Sequence, residues 1–175
     1  AGECFDKTAR AMGMSYPGGV HLDKIANDGD PNAYKLPYPK VEGCPWDFSF
    51  SGLKTFVINT IHRCEQKGES YVVADLAASV RHQVCEILTE KTMAAAKEFG
   101  YDKIALAGGV SANSLLRARM KEECDKAGFT LYLPDLSLCG DNAAMVGVQG
   151  FYEAQAGHFA SQNLNATATK SIEEG

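Results

Sequence analysis

A chain of 175 residues with 45% hydrophobic and 22% charged positions is enough for one domain with a real core, or for half of a larger enzyme. Its net charge of −5 argues against a broad nucleic-acid-binding face on this piece and leaves a local basic stripe, or a basic partner, as the route to RNA. The cysteines, Cys4, Cys44, Cys64, Cys85, Cys124 and Cys139, include no CxxC pair, which argues against a zinc knuckle.

Without small-scaffold spacing or a signal-peptide pattern, those cysteines are expected to be reduced thiols of a cytosolic protein. No apolar run approaches the roughly 18 residues of a membrane span. Asn165-Ala166-Thr167 has the form of a glycosylation acceptor and reads, in that setting, as part of a tail.

Taken in order, the chain starts inside an amphipathic segment. Phe5, Ala9 and Met12 recur at helical spacing and Gly13 can stop the helix. This capless beginning is expected of a fragment. Ser15 to Val20, with Pro17 before the pair Gly18-Gly19, reads as a tight turn, and a new helix is expected from His21. Asp23 then falls in a first helical turn, either as a carboxylate complementing the helix dipole or as an acceptor for a ribose hydroxyl.

Residues 27–46 form a Pro-rich connection with room for nothing longer than a short strand. Asp47 to Ser51 alternates polar and aromatic residues over a strand's length. Gly52 to Thr55 turns it into a helix bearing Phe56, Val57, Thr60 and Ile61. Lys54 is either a phosphate contact or an exposed lysine on a first turn. A long helix is expected from about Tyr71 to Phe99, its stripe running from Val73 to Phe99 and its stop at Gly100. It reads as a wall of the core without chemistry of its own, with His82 on the solvated side.

The stretch that organises the rest is Lys103 to Asn113. A buried strand ends at Gly108-Gly109, where the backbone is expected to come close to something, and a helix capped by Ser111 or Asn113 follows. Strand, glycine turn and helix N-terminus together offer N–H groups to an anionic or polar ligand. Phe129 to Leu133 is a second strand, ended by Pro134. After Gly140-Asp141-Asn142 a helix runs through Val146, Val148, Phe151 and Tyr152 to Gly157. Parallel strands with ligands at their C-terminal ends are expected, the Gly109–Asn113 and Gly140–Asn142 corners lying side by side. Asp141 is either a helix N-cap or a hard oxygen donor to a metal.

Five segments in this order resemble a known family: Ala1-Gly2-Glu3-Cys4-Phe5-Asp6-Lys7, Tyr16-Pro17-Gly18-Gly19, Asp47 to Thr55, Ala107 to Asn113, and Asp141-Asn142-Ala143-Ala144-Met145. The resemblance is to the C-terminal half of the TsaD family, threonylcarbamoyltransferases formerly called glycoproteases or O-sialoglycoprotein endopeptidases. It implies an α/β fold, the C-terminal portion of an ASKHA (actin-like ATPase, RNase H-like) fold, helix-rich with a small, mainly parallel sheet. Residues 1–100 would be its mainly helical part, 101–157 its strand–turn–helix repeats and 158–175 a tail, with the N-terminal half absent.

The implied activity is synthesis of N6-threonylcarbamoyladenosine. A threonylcarbamoyl group passes from threonylcarbamoyl-adenylate to N6 of the tRNA adenosine next to the anticodon. Carried over position by position, Asp6, Gly19, Asp23 and Asn113 match residues that hold the nucleotide or adenylate, with Gly108 and Gly109 in the same corner. Asp141 matches a ligand of the active-site iron (Fe2+) or zinc (Zn2+). The implied partners are tRNA and, in a bacterium, TsaB- and TsaE-like proteins, in the cytoplasm and not at a membrane.

The family's metal site also takes two histidines four apart from the N-terminal half. His21, His62, His82 and His158 form no such pair, so this chain is expected neither to bind the metal tightly nor to catalyse alone. Other classes weighed are an ASKHA-type phosphoryl-transfer enzyme, a metalloendopeptidase, which would want an HExxH helix absent here, and a non-catalytic partner-docking module. Apolar surface left by an absent half could drive self-association.

Overall fold

The computed structural model describes residues 1–166 and Ala168 and divides the chain into one unit, Ala1–Gly140, and a second that begins at Asp141. Thr167 of the Asn165-Ala166-Thr167 triplet and most of the expected tail beyond it lie outside the described residues.

In the first unit, α1 (Gly2–Ala11) buries Phe5 and Ala9, with Met12 just past its end, and Gly13 at φ +82° stops it. Next, α2 (Gly18–Ile25) begins earlier than expected. The glycine pair forms its first turn instead of a turn ahead of it, because Pro17 stands extended at the N-cap and Gly18 lies against α1. A Cβ on Gly18 would sit 2.7 Å from Ala9 Cβ and 3.1 Å from Asp6 Cα. Only glycine allows the two helices this approach. Asp23 is thereby moved from the first turn to the last turn of the helix, where it cannot complement the N-terminal dipole.

The Pro-rich connection holds nothing beyond a short helical turn at Ala26–Asp28. The strand expected at Asp47 to Ser51 does not form. No neighbouring strand supplies a ladder, and the alternation is used by side chains instead. The Phe48 and Phe50 rings stack at 6.2 Å, and Lys91 lies over Phe48 while donating to the Asp47 carbonyl. Then α3 (Ser51–Lys67) runs to Gly68 in the left-handed conformation, burying Leu53, Val57, Thr60 and Ile61.

The expected long helix is α4 (Val73–Glu98). Its stretch up to Ile87 joins α1, α2 and α3 in one apolar cluster that includes Leu22, Leu53, Val57, Leu76, Val80 and Ile87. Its second half packs Met93 and Ala96 with Ile104, Leu116, Met120 and Cys124 in another. Each fully buried aliphatic side chain contributes about 1.5–3 kcal/mol. β1 (Lys103–Ala105) and β2 (Thr130–Tyr132) pair in parallel, Ile104 opposite Leu131, joined by the crossover helix α5 (Ser114–Ala127). The result is a helix-rich α/β architecture with a two-stranded parallel sheet.

In the second unit, α6 (Ala143–Gln155) has no buried residue, and Gly157 follows it at φ +75°. Among the described residues no helix is long and apolar enough to cross a membrane.

Candidate functional site

One cavity of about 640 Å³ opens within the first unit between α1, α2 and the turn after β1. Asp6, Gly19, Asp23, Gly109 and Asn113 line it together with Phe5, Val20, Val110 and Leu136. Five positions spread over more than a hundred residues of sequence thus face one space. Gly108 stands next to that lining, at φ +82° and ψ 171°, a conformation essentially reserved for glycine. No heavy atom comes within 4 Å of a Cβ built on Gly108 or Gly109. The close backbone approach expected of the pair is therefore not made to protein; Gly109 faces the open cavity. Lys54 is exposed on the first turn of α3 and is not among the lining residues.

Asp6 reaches the cavity from α1. Its Oδ1 accepts the Gly19 N–H at 3.0 Å. This amide is one of the unpaired donors at the start of α2, and the preceding Pro17 has no side-chain acceptor for it. The carboxylate acts as a cap delivered from another helix, beside the positive end of the α2 dipole.

Asp23 is the most heavily bonded group of the site. Its Oδ1 accepts from Arg81 Nη1 at 3.0 Å, Asn113 Nδ2 at 3.0 Å and Ser114 Oγ at 3.1 Å, and its Oδ2 accepts the Ser114 N–H at 3.1 Å. One carboxylate therefore ties α2 to α4 and to the start of α5. Asn113 caps α5: its Oδ1 accepts the Leu116 N–H at 3.0 Å and the Cys85 thiol at 3.3 Å. Burial pushes that thiol up to about 12, so it stays protonated and donates. With the carbonyl side thus used, the amide side of Asn113 is aimed at Asp23.

A single tight helical turn, Gly109–Ala112, separates the glycines from α5, and the first N–H groups of α5 are taken by Asp23 and Asn113. Where an anionic or polar ligand is expected at this helix end, the Ser114 N–H already meets the protein's own Asp23 carboxylate. Arg117 fastens the same corner from below, donating to the Ser111 carbonyl and the Pro134 carbonyl, each at 3.0 Å.

Sequence reasoning missed Arg81. It is buried on α4, and besides Asp23 Oδ1 it donates to the Asp23, Ala26 and Asn27 oxygens at 2.8, 3.1 and 2.7 Å. The helix read as having no chemistry therefore holds the cation that braces the site. A signal was present: Arg81 sits four residues after Ala77 and four before Cys85, inside the apolar stripe, where an arginine needs buried acceptors.

In the second unit Asp141 is exposed, and the N-cap of α6 is Asn142, whose Oδ1 accepts the Met145 N–H at 3.0 Å. Asp141 is not the cap. Among the described residues no group of three or more His, Cys, Asp or Glu side chains is placed to hold a metal ion. The residues present do not by themselves fit an iron or zinc centre.

The sequence matches the family model described as TsaD, tRNA N6-adenosine threonylcarbamoyltransferase, over residues 1–148. Curated proteins of that name are similar to it: one from Enterococcus faecalis at 45% identity over 95% of this chain and 48% of its own, and one from Caldicellulosiruptor saccharolyticus at 44% over 95% and 49%. A third, from Clostridium botulinum, is 42% identical over 99% of this chain and 51% of its own. The chain spans about half the length of these curated relatives. In fold it is similar to part of full-length HypF, solved in a phosphate- and nucleotide-bound form, with a TM-score of 0.58 over 79% of this chain and 18% of that one at 19% identity. With the family model matched over most of its length, the chain belongs to the TsaD family of tRNA N6-adenosine threonylcarbamoyltransferases.

Proposed function

We propose that this chain supplies the adenosine-binding flank of a transferase that moves a threonylcarbamoyl group from threonylcarbamoyl-adenylate to N6 of the tRNA adenosine next to the anticodon. The observation that carries the reading is the convergence of Asp6, Gly19, Asp23, Gly109 and Asn113 on one cavity, in a chain of this family. We read the fold as the C-terminal portion of an ASKHA fold, a reading that the likeness to HypF supports.

Each residue has a task in holding the adenylate. Asp6 spends Oδ1 on the Gly19 amide, and Oδ2 is the acceptor left for a ribose hydroxyl. Asp23 has three donors crowded on Oδ1 but one on Oδ2, so Oδ2 is the less occupied oxygen and the one that a hydroxyl in the cavity would meet. Gly109, with no side chain, leaves the adenosine room to lie along the backbone. These groups bind and orient; the carbonyl carbon that is attacked lies further along the ligand.

From this chain Asp141 is the one ligand an iron or zinc ion would take, with the remaining donors coming from outside. The setting is the cytoplasm, with tRNA and, in a bacterium, TsaB- and TsaE-like partners.

The test uses the intact protein that carries this chain, with its partners, threonylcarbamoyl-adenylate and unmodified tRNA. Mass spectrometry of digested tRNA should detect N6-threonylcarbamoyladenosine, and Asp6→Ala should lower its formation about tenfold or more at subsaturating adenylate. The 175-residue chain alone should give none. No modified nucleoside from the intact protein would overturn the reading.

A further inference from the structure

Among the described residues Arg81 is the one charged side chain that is buried. It does not line the cavity, and its Nε is buried without a hydrogen-bond partner. An arginine kept in that condition is costly, since an unbranched apolar side chain such as Met would fill much of the space without stranding a donor. What the arginine gains lies at its other end, where Nη1 meets Asp23 Oδ1 and Asn27 Oδ1, and Nη2 meets the Ala26 carbonyl.

The geometry points to Arg81 as a positioning residue for adenosine binding: it fixes the Asp23 carboxylate and, through it, the Asn113–Ser114 start of α5. The inference rests on the adenosine reading above and adds to it a residue that touches no ligand. Its logic is a chain of bonds. Arg81 anchors itself to the carbonyls at the C-terminal end of α2, where the helix dipole favours a cation. From that anchor it holds Asp23 Oδ1. Asp23 then receives Asn113 Nδ2, Ser114 Oγ and the Ser114 N–H. Remove the cation and the carboxylate keeps its donors from α5 but loses its tie to α4, so α2 and α5 are no longer referred to one fixed point. The ligand's hydroxyl acceptor on Oδ2 shifts with them, and misplacement on that scale is expensive for a bound ligand.

The experiment compares Arg81→Met, Arg81→Gln and Asn27→Ala in the intact protein. Three quantities are read: the Kd for adenosine 5′-monophosphate by calorimetry, the KM and kcat of threonylcarbamoyl transfer, and amide hydrogen exchange at Ser114. Arg81→Met should weaken nucleotide binding and raise the KM for the adenylate about tenfold, with kcat within about threefold. Arg81→Gln, which keeps a neutral donor, should recover most of that loss. Asn27→Ala costs the arginine a partner without touching Asp23, and should leave nucleotide binding within about twofold.

In a double-mutant cycle, Arg81→Met added to Asp23→Asn should weaken binding no further than Asp23→Asn alone, because the arginine acts through that carboxylate. Exchange at Ser114 should quicken in Arg81→Met. Folded Arg81→Met that binds nucleotide as the wild type does, or losses that multiply in the cycle, would overturn the positioning role. Should Arg81→Met not fold, Arg81→Gln decides by the same cycle and the same amide. Wild-type protein that fails to bind the nucleotide would instead overturn the adenosine reading, while a quickened Ser114 amide would still establish the brace.

Discussion

The chain has two strand–turn–helix corners built on the same local device. Asn113 Oδ1 accepts the Leu116 N–H at 3.0 Å, and Asn142 Oδ1 accepts the Met145 N–H at 3.0 Å. Beyond the cap they diverge. The first helix, α5, buries Leu116, Met120 and Cys124, and its cap amide is bonded to an aspartate 90 residues away. The second, α6, buries nothing and exposes Met145, Val146, Val148, Phe151 and Tyr152. A cap residue decides where a helix starts. Whether that start becomes part of a site depends on what distant sequence delivers to it, which at the first corner is Asp23 and, behind it, Arg81.

The sharpest way to break the comparison is to remove the acid at each corner. Asp23→Ala leaves the buried Arg81 guanidinium without its counter-charge and Asn113 and Ser114 without their acceptor. The expected loss is about 3–5 kcal/mol of stability. Asp141→Ala removes an exposed carboxylate and should change stability by no more than about 0.5 kcal/mol. Urea unfolding of both variants checks this, and comparable losses would show that the two acids are equally built into the fold.

Removing the caps should give a smaller contrast. Asn113→Ala loses the α5 cap, strands the Cys85 thiol and takes one donor from Asp23, for about 2–3 kcal/mol. Asn142→Ala takes the acceptor from the Met145 N–H and should cost about 1 kcal/mol through that cap bond, read as faster amide exchange in the first turn of α6. Equal costs would mean that the bonds of Asn113 to Cys85 and Asp23 add nothing measurable to its cap.

How much of this was legible in sequence follows from the range over which each feature is decided. The long helix to Gly100, the paired strands around Ile104 and Leu131 and the Asn113 cap are settled by neighbours in sequence, and each was expected close to its place. Asp6, Gly19, Asp23 and Asn113, named by resemblance, and Gly109, read from the glycine turn, share one cavity. Three features were misread for one reason. The start of α2 depends on Gly18 meeting Ala9, the absent strand at Asp47 to Ser51 depends on a ladder partner that is not there, and Arg81 depends on acceptors more than fifty residues away. Local pattern carries no information about contacts of that span.

The two glycine positions sharpen the same point at a lower energy. Gly18→Ala places a methyl 2.7 Å from Ala9 Cβ, so α1 and α2 must part, at about 1–3 kcal/mol. Gly109→Ala adds a methyl with no heavy atom within 4 Å and should leave the melting temperature nearly unchanged, while weakening nucleotide binding because the methyl stands in the cavity. A stability loss at Gly109 as large as at Gly18 would show that the glycine pair after β1 is there for packing and not for a ligand.

The smallest expected effect separates the Cys85 thiol beneath the first corner from the exposed Cys44 in the Pro-rich connection. Burial raises Cys85 to about 12 from an ordinary value of 9.0. A group whose folded pKa is raised contributes stability that is complete below the unfolded value and is lost as pH rises toward the folded one. The wild type should therefore lose about 1 kcal/mol through Cys85 between pH 8 and pH 10. Cys85→Ser keeps a donor for Asn113 Oδ1 but does not ionise in this range, so its urea midpoint should fall less over the same interval. Iodoacetamide at pH 8 should label Cys44 in the native protein and reach Cys85 only on unfolding, because the reacting species is the thiolate and its formation at Cys85 requires the buried cap to open. Labelling of Cys85 as fast as Cys44 would mean that the first corner opens readily, and that its bonds do not make it more rigid than the Pro-rich connection.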